Sequence, residues 1–130
     1  RNGDARYDES RSRFLGENCA LLLEKYGGDL RRLREAAGRV PTRQRELLKE
    51  FKGIGDVGVD IFFREVQAAW EELRPFIDRT AREGAREVGL PTSAEGLARL
   101  VDEKDYPALV AALARIKLEK RHEEVRKRAA

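Results

Sequence analysis

The chain is poor in the residues that build covalent crosslinks and metal sites. Its 130 residues include one cysteine, Cys19, and one histidine, His122. A single cysteine excludes an intramolecular disulfide and any iron–sulfur cluster or zinc site built on several cysteines of this chain. A single histidine excludes a multi-histidine metal centre in the same way. We therefore expect no cofactor of these kinds, and we expect Cys19, which lies among apolar residues, to be a small buried hydrophobe.

Long apolar runs are also missing. The longest are Leu21–Leu23 and Leu109–Leu113, whereas a membrane-spanning helix needs about 20 apolar residues. The N-terminus is polar and charged, unlike a secretory signal, and the chain contains no methionine. We expect a cytoplasmic protein without a membrane partner, and we expect further N-terminal elements of the fold to be missing from this chain.

The net charge of +3 hides an uneven distribution of charged residues. Residues 1–52 carry 13 basic and 9 acidic side chains, residues 53–114 carry 7 and 12, and residues 115–130 carry 7 and 3. The ends are therefore basic and the middle is acidic. Basic ends favour a polyanionic partner, although Arg-rich helices that are simply solvated explain the same pattern.

The hydrophobic periodicity is helical nearly everywhere, and no stretch alternates with a period of two. Glycines, prolines and capping residues divide the chain into about seven or eight helices. These segments are roughly 14–26, 30–37, 41–51, 57–70, 77–88, a short helix capped by Thr92 or Ser93, and a last helix from about Asp105. The sequence predicts an all-α protein with a soft boundary near Pro75, which separates residues 1–75 from residues 76–130.

The most informative segment is Lys52-Gly53-Ile54-Gly55-Asp56-Val57, which lies between two predicted helices. Glycines allow a tight turn and the close approach of another backbone. We expect Ile54 to anchor the turn in the core, and the amides after Gly53 to point outward at the start of the next helix. Unpaired amides and the positive end of a helix dipole bind anions such as a phosphodiester. The alternative is a tight turn between helices that binds no ligand.

This arrangement resembles the helix-hairpin-helix motif of DNA-binding proteins. Together with Phe76-Ile77-Asp78-Arg79-Thr80 and Arg86-Glu87-Val88-Gly89-Leu90-Pro91, it resembles the endonuclease III-type DNA glycosylases of base-excision repair. The similarity covers residues from about 8 to 115 and is strongest over 47–91. It implies two helical lobes, of which residues 1–75 would supply the end of the hairpin lobe and residues 76–130 most of the second lobe. It also implies that duplex DNA, damaged or intact, is the partner.

The same resemblance places Asp78 at the position of the family's catalytic aspartate. A carboxylate there would stabilise the positive charge that develops on the deoxyribose as the base leaves, or activate water. The flipped-out base would be the substrate. The alternative is that Asp78 only caps a helix, a position in which aspartate is favoured.

The chain departs from the family at three points. Val57 stands where bifunctional members have a lysine nucleophile, so any activity would be hydrolysis of the N-glycosidic bond without lyase chemistry. The cysteines of the family's iron–sulfur cluster are absent. Asp56 and Asp60 lie beside the expected phosphate site and would repel DNA unless they face elsewhere or a cation, such as a monovalent metal ion, intervenes. Lys52 precedes the hairpin, and we interpret it as a phosphate contact.

Three hypotheses remain open from the sequence. The first is a monofunctional glycosylase that uses Asp78, the second is a non-catalytic helix-hairpin-helix DNA-binding module, and the third is a helical interaction protein. Trp70, Phe62 and Phe63 could stack on bases, but their helical spacing favours the core. The basic C-terminal segment 115–128 either contacts phosphates or is a solvated helix end.

Overall fold

The computed structural model describes the backbone of residues 2–129 and the side chains of residues 13–129. Within residues 2–129, seven α-helices follow one another, joined by short turns. They are α1 (Asn2–Tyr26), α2 (Leu30–Ala36), α3 (Pro41–Leu48), α4 (Asp56–Val66), α5 (Arg79–Glu87), α6 (Ala94–Ala98) and α7 (Tyr106–Ala129). Short 3₁₀ turns lie at Glu71–Leu73 and Glu103–Asp105. Residues 2–129 contain no strand, which confirms the all-α prediction.

Local signals explain most of the helix ends. The Asp29 carboxylate accepts a hydrogen bond of 2.9 Å from the Arg31 amide at the start of α2, and Ser93 Oγ accepts one of 3.0 Å from the Gly96 amide in α6. These are N-cap contacts, which pair amides that have no acceptor within the helix. The side chain and amide of Arg31 lower the pKa of Asp29 to about 2.

Two predicted helices end earlier than expected. The helix α3 stops at Leu48, before Phe51, and α4 stops at Val66, before Trp70. In both cases the next aromatic residue contacts another ring: Phe51 stacks on Tyr26 with ring centroids 6.4 Å apart, and Trp70 meets Phe62 edge-on at 5.5 Å. The helical pattern of apolar residues therefore extends beyond the ends of α3 and α4, because Phe51 and Trp70 still pack against aromatic rings although the backbone there is no longer helical.

The chain divides into two compact units, residues 1–59 and residues 60–130. The division falls inside α4, so the boundary predicted near Pro75 lies within the second unit. In the first unit, α2 contacts both α1 and α3. Its buried apolar residues are Tyr26, Leu33, Ala37, Leu47, Leu48 and Val59.

Two expectations about burial have different outcomes. Trp70 and Phe63 are buried, as their helical spacing predicts, whereas Phe62 is half-buried. The expectation for Cys19 is wrong, because this side chain is exposed. Leu15, Cys19 and Leu23 follow one another at intervals of four residues on α1, and both leucines are also exposed. This stripe lies on one face of the helix, so α1 turns an apolar face away from the core of its unit.

The second unit is organised around the contact between α5 and α7. Its core cluster consists of Ile77, Ala81, Ala85, Leu97, Tyr106, Val110, Leu113 and Ala114. A Cβ placed on Gly84 would lie 2.0 Å from the carbonyl oxygen of Leu113. No real side-chain carbon fits at that distance, so glycine is required here for the two backbones to approach. Within the described part of the chain, no helix combines the length and apolar content needed to cross a bilayer.

We predict that Gly84→Ala destabilises the second unit. The added methyl group meets the backbone of α7 and must push the two helices apart, at a cost of about 3 kcal/mol or more in the free energy of unfolding. Chemical denaturation followed by circular dichroism measures this change. Gly16→Ala is the matched control, because a Cβ at Gly16 meets nothing within 4 Å, and should stabilise α1 by about 0.5–1 kcal/mol. Equal stability of the two variants would contradict the prediction.

Candidate nucleic-acid interface

The turn between α3 and α4 forms a hairpin with open amides at its end. Gly53 has a backbone φ of +80°, which residues other than glycine rarely adopt. The Ile54 amide donates to the Phe51 carbonyl at 3.2 Å. The first helical bond of α4 runs from the Val59 amide to the Gly55 carbonyl at 3.0 Å. Three amides of the first turn, those of residues 56–58, therefore have no acceptor within the helix. Because Gly55 at the preceding position has no side chain, it cannot cap them.

An amide side chain on α1 holds this hairpin in place. Asn18 Nδ2 donates to the Lys52 carbonyl at 2.9 Å, and the Lys52 amide donates to Asn18 Oδ1 at 2.6 Å. The ring of Phe14 lies 3.4 Å from the position of a Cβ on Gly53. The backbone before the turn is thus paired with a helix that lies 34 residues earlier in sequence. Sequence analysis missed Asn18, whose only signal is a polar residue inside an apolar helical segment.

The side chains at the tip of the hairpin are apolar and exposed. Val57 is 75% exposed and Ile54 is 37% exposed. The expectation that Ile54 anchors the hairpin in the core is therefore wrong. Its methyl groups instead lie over Gly58, 3.6 Å from the position of a Cβ there. Ile54 covers the first turn of α4, while Asn18 and Phe14 provide the anchorage.

Asp56 is paired with two cationic side chains of the same unit. Its Oδ1 lies 3.2 Å from Lys49 Nζ and 3.3 Å from Arg45 NH1. The hydrogen bond and charge of Lys49, followed by those of Arg45, lower the pKa of the Asp56 carboxyl. Asp56 is thus ionised and largely neutralised at the start of α4, where an anion also interacts favourably with the helix dipole. The Lys52 side chain is exposed at the same hairpin.

Asp78 lies in the second unit, where it is 4% exposed. Its Oδ1 accepts from the Ala81 amide at 3.3 Å, which makes it the N-cap of α5. Its Oδ2 accepts from Arg64 NH1 at 2.8 Å. Both carboxylate oxygens therefore have partners within the unit. The arrangement holds the carboxylate in one position, and a substrate would have to reach a buried group.

The backbone just before Asp78 is fixed by a second group of polar contacts. Gln67 Nε2 and the Tyr106 hydroxyl both donate to the Phe76 carbonyl, at 3.1 and 3.0 Å. The Phe76 amide donates to Gln67 Oε1 at 2.9 Å. Burial raises the pKa of Tyr106 to about 12, so its hydroxyl remains a donor at neutral pH. Sequence analysis identified Asp78 but missed Arg64 and Gln67, the partners that determine its surroundings.

The side chains described, residues 13–129, contain no group of three His, Cys, Asp or Glu that could hold a metal ion. Comparison of the chain with protein-family models, with curated proteins and with solved structures finds no match. The resemblance to glycosylases stays a prediction from the residues of the hairpin and of the segment around Asp78.

We predict that Asn18→Ala loosens the hairpin without unfolding α1. Two hydrogen bonds to the Lys52 backbone are lost, which should lower the free energy of unfolding by about 1–2 kcal/mol. Hydrogen exchange at the Lys52 amide should accelerate, because Asn18 Oδ1 is its acceptor. The control is Glu17→Ala, a change at an exposed neighbour on the same helix. If the Lys52 amide were equally protected from hydrogen exchange in Asn18→Ala, the hydrogen bonds of Asn18 would not be what holds the hairpin.

We predict a graded loss of stability at Asp78. Asp78→Ala removes the N-cap and the buried partner of Arg64 NH1, and leaves Glu65 as the ion-pair partner of Arg64, at a cost of about 3 kcal/mol. Asp78→Asn keeps a capping side chain and should cost about 1 kcal/mol less than alanine. Denaturant titration measures both. Asp102→Asn, at an exposed position whose side chain caps nothing, should leave stability unchanged. If Asp78→Ala left the free energy of unfolding unchanged, a structural role for Asp78 would be ruled out.

Proposed function

We propose that this chain binds the sugar–phosphate backbone of duplex DNA through the Gly53–Gly55 hairpin. The observation that carries the proposal is the set of open amides at the start of α4. Their pairing is incomplete by helix geometry, they lie at the positive end of the helix dipole, and Gly55 adds no side chain in front of them. A phosphate oxygen is an acceptor of the required charge, and it can be bound in this way without contact to any base.

The charges around the hairpin agree with this function. Lys52 is exposed beside the amides, and the Asp56 carboxylate is neutralised by Lys49 and Arg45. Of the two acidic residues that argue against DNA binding in the sequence, Asp56 and Asp60, the first is therefore balanced within the same unit. Clamping by Asn18 also supports binding, because a hairpin that is already ordered loses less conformational entropy when it meets its ligand.

Base excision is the second candidate activity. In this second proposal the chain has part of a two-lobe glycosylase fold, and Asp78 acts in the hydrolysis of an N-glycosidic bond in the bound DNA. It is favoured by the fixed orientation of the Asp78 carboxylate at the start of α5, since catalytic groups need a defined position. The paired oxygens and the low exposure of Asp78 favour a non-catalytic DNA-binding module instead. Of the two activities, the geometry supports binding more strongly.

The binding proposal predicts salt-dependent affinity that requires the hairpin. Fluorescence anisotropy with a labelled duplex should give a dissociation constant on the order of 10⁻⁴–10⁻⁶ M, weakening as salt rises. Gly55→Leu should weaken binding by about ten-fold or more, because its side chain stands before the amides. The fold should tolerate this change, since a Cβ at Gly55 meets nothing within 4 Å.

Gly38→Asn provides a control for a glycine replaced elsewhere in the unit, where a Cβ also meets nothing and the positive φ is one that asparagine tolerates. Equal binding by Gly55→Leu and the wild type would exclude the hairpin as the contact. A duplex with an abasic-site analogue separates the two activities: preferential binding to it, with base release abolished in a folded Asp78→Asn variant, supports excision. Binding without preference and without base release supports the non-catalytic module.

A further inference from the structure

Two cations of the first unit meet at one carboxylate oxygen beside the hairpin amides. Arg45 and Lys49 are four residues apart and therefore lie on the same face of α3 and its final turn. Arg45 NH1 and Lys49 Nζ approach Asp56 Oδ1 at 3.3 and 3.2 Å. Arg45 NH1 also lies 3.4 Å from the Asp56 carbonyl. An anionic oxygen thus occupies the point where two cations and the first turn of α4 converge.

This carboxylate resembles the ligand that we propose for the hairpin. A carboxylate and a phosphodiester each carry one negative charge shared between two oxygens, and both accept hydrogen bonds from guanidinium and ammonium groups. Asp56 is 65% exposed, while the Arg45 side chain is 29% exposed. The Lys49 side chain is 43% exposed, so Asp56 is the most exposed of the three side chains and the one that a competing phosphate reaches first.

From this geometry we infer that Asp56 is an internal substitute for a DNA phosphate, and that a backbone phosphate displaces it to bind Arg45 and Lys49. The inference rests on the proposed DNA-binding function and adds two phosphate-binding side chains to the hairpin amides. Asp56 competes with DNA for the two cations and thereby limits the affinity of the free protein. No covalent step is involved; one ion pair is exchanged for another.

The exchange is energetically feasible because the pairs involving Asp56 are exposed. Exposed ion pairs contribute little to stability, since water and salt screen them and the side chains lose entropy when they are held together. A phosphate that arrives as part of DNA also contacts the hairpin amides, so it gains interactions that the carboxylate does not provide. Arg45 can in addition bind two phosphate oxygens in a bidentate manner.

The test compares Asp56→Asn with Glu46→Gln in anisotropy titrations against one duplex at two salt concentrations. Both variants remove one negative charge from the first unit, and Glu46 also pairs with an arginine, Arg43, at 2.7 Å. Asp56→Asn should bind about five-fold more tightly than the wild type, whereas Glu46→Gln should change affinity by about two-fold or less, since Glu46 is exposed and paired with Arg43, and exposed charges are screened. The salt dependence of Asp56→Asn should steepen by about one counterion for each cation released to DNA.

Two further substitutions test whether Arg45 and Lys49 are the side chains that contact the phosphate. Arg45→Gln combined with Lys49→Gln should remove the added affinity of Asp56→Asn. Thermal melting followed by circular dichroism checks folding, and Asp56→Ser replaces Asp56→Asn if the asparagine variant does not fold.

Several outcomes would overturn the inference. If the wild type binds through its hairpin but Asp56→Asn binds no more tightly than Glu46→Gln, the exchange is wrong and the proposed function stands. If neither the wild type nor Asp56→Asn binds DNA at low salt, the exchange and the proposed function are both overturned. Unchanged affinity after the Arg45 and Lys49 substitutions in the Asp56→Asn background would also reject the exchange.

Discussion

The first unit depends on the two hydrogen bonds between the Asn18 side chain and the Lys52 backbone. They pair both polar groups of one peptide residue with a helix far away in the sequence, and they do so immediately before the chain must turn at Gly53. A turn with open amides is a surface feature with few contacts of its own, so its position has to be fixed by a neighbour. Asn18 provides that constraint, because it fixes the backbone immediately before the turn that leads into α4.

Charge has a different role in each unit. In the first unit, the ion pairs of Asp56 with Arg45 and Lys49 are partly exposed, so water and salt screen them and separating them costs little. In the second unit, Arg64 and Asp78 are buried, and separating them would leave a charge without solvation. Basic and acidic side chains therefore form exposed, weakly coupled ion pairs in the first unit and a buried, fixed ion pair in the second. The difference is burial, which changes the cost of breaking the pair.

The second unit shows how close backbone packing restricts the sequence. Small residues on α5 let α7 approach until Gly84 faces the Leu113 carbonyl, and Tyr106 at the start of α7 reaches the Phe76 carbonyl. The segment before Asp78 is thus fixed from two sides, by Gln67 and by Tyr106. This rigidity serves any function that needs a defined carboxylate, and it equally serves a protein that only needs a stable unit.

The sequence by itself determined where most helices begin and end, because the signals act within one turn of the chain. Asp29, Ser93, Pro41 and the glycine of the hairpin mark boundaries through their own backbone preferences or through bonds to amides two or three residues away. Only the tertiary structure decided which face of a helix is covered and which polar groups meet. The contact of Asn18 with Lys52 and the pairing of Arg64 with Asp78 join residues whose separation along the chain carries no periodic signal. The apolar stripe of α1 is periodic in the sequence, but packing decides that it is exposed. Those contacts depend on how whole helices pack, since packing sets the distances between side chains that local sequence leaves undetermined.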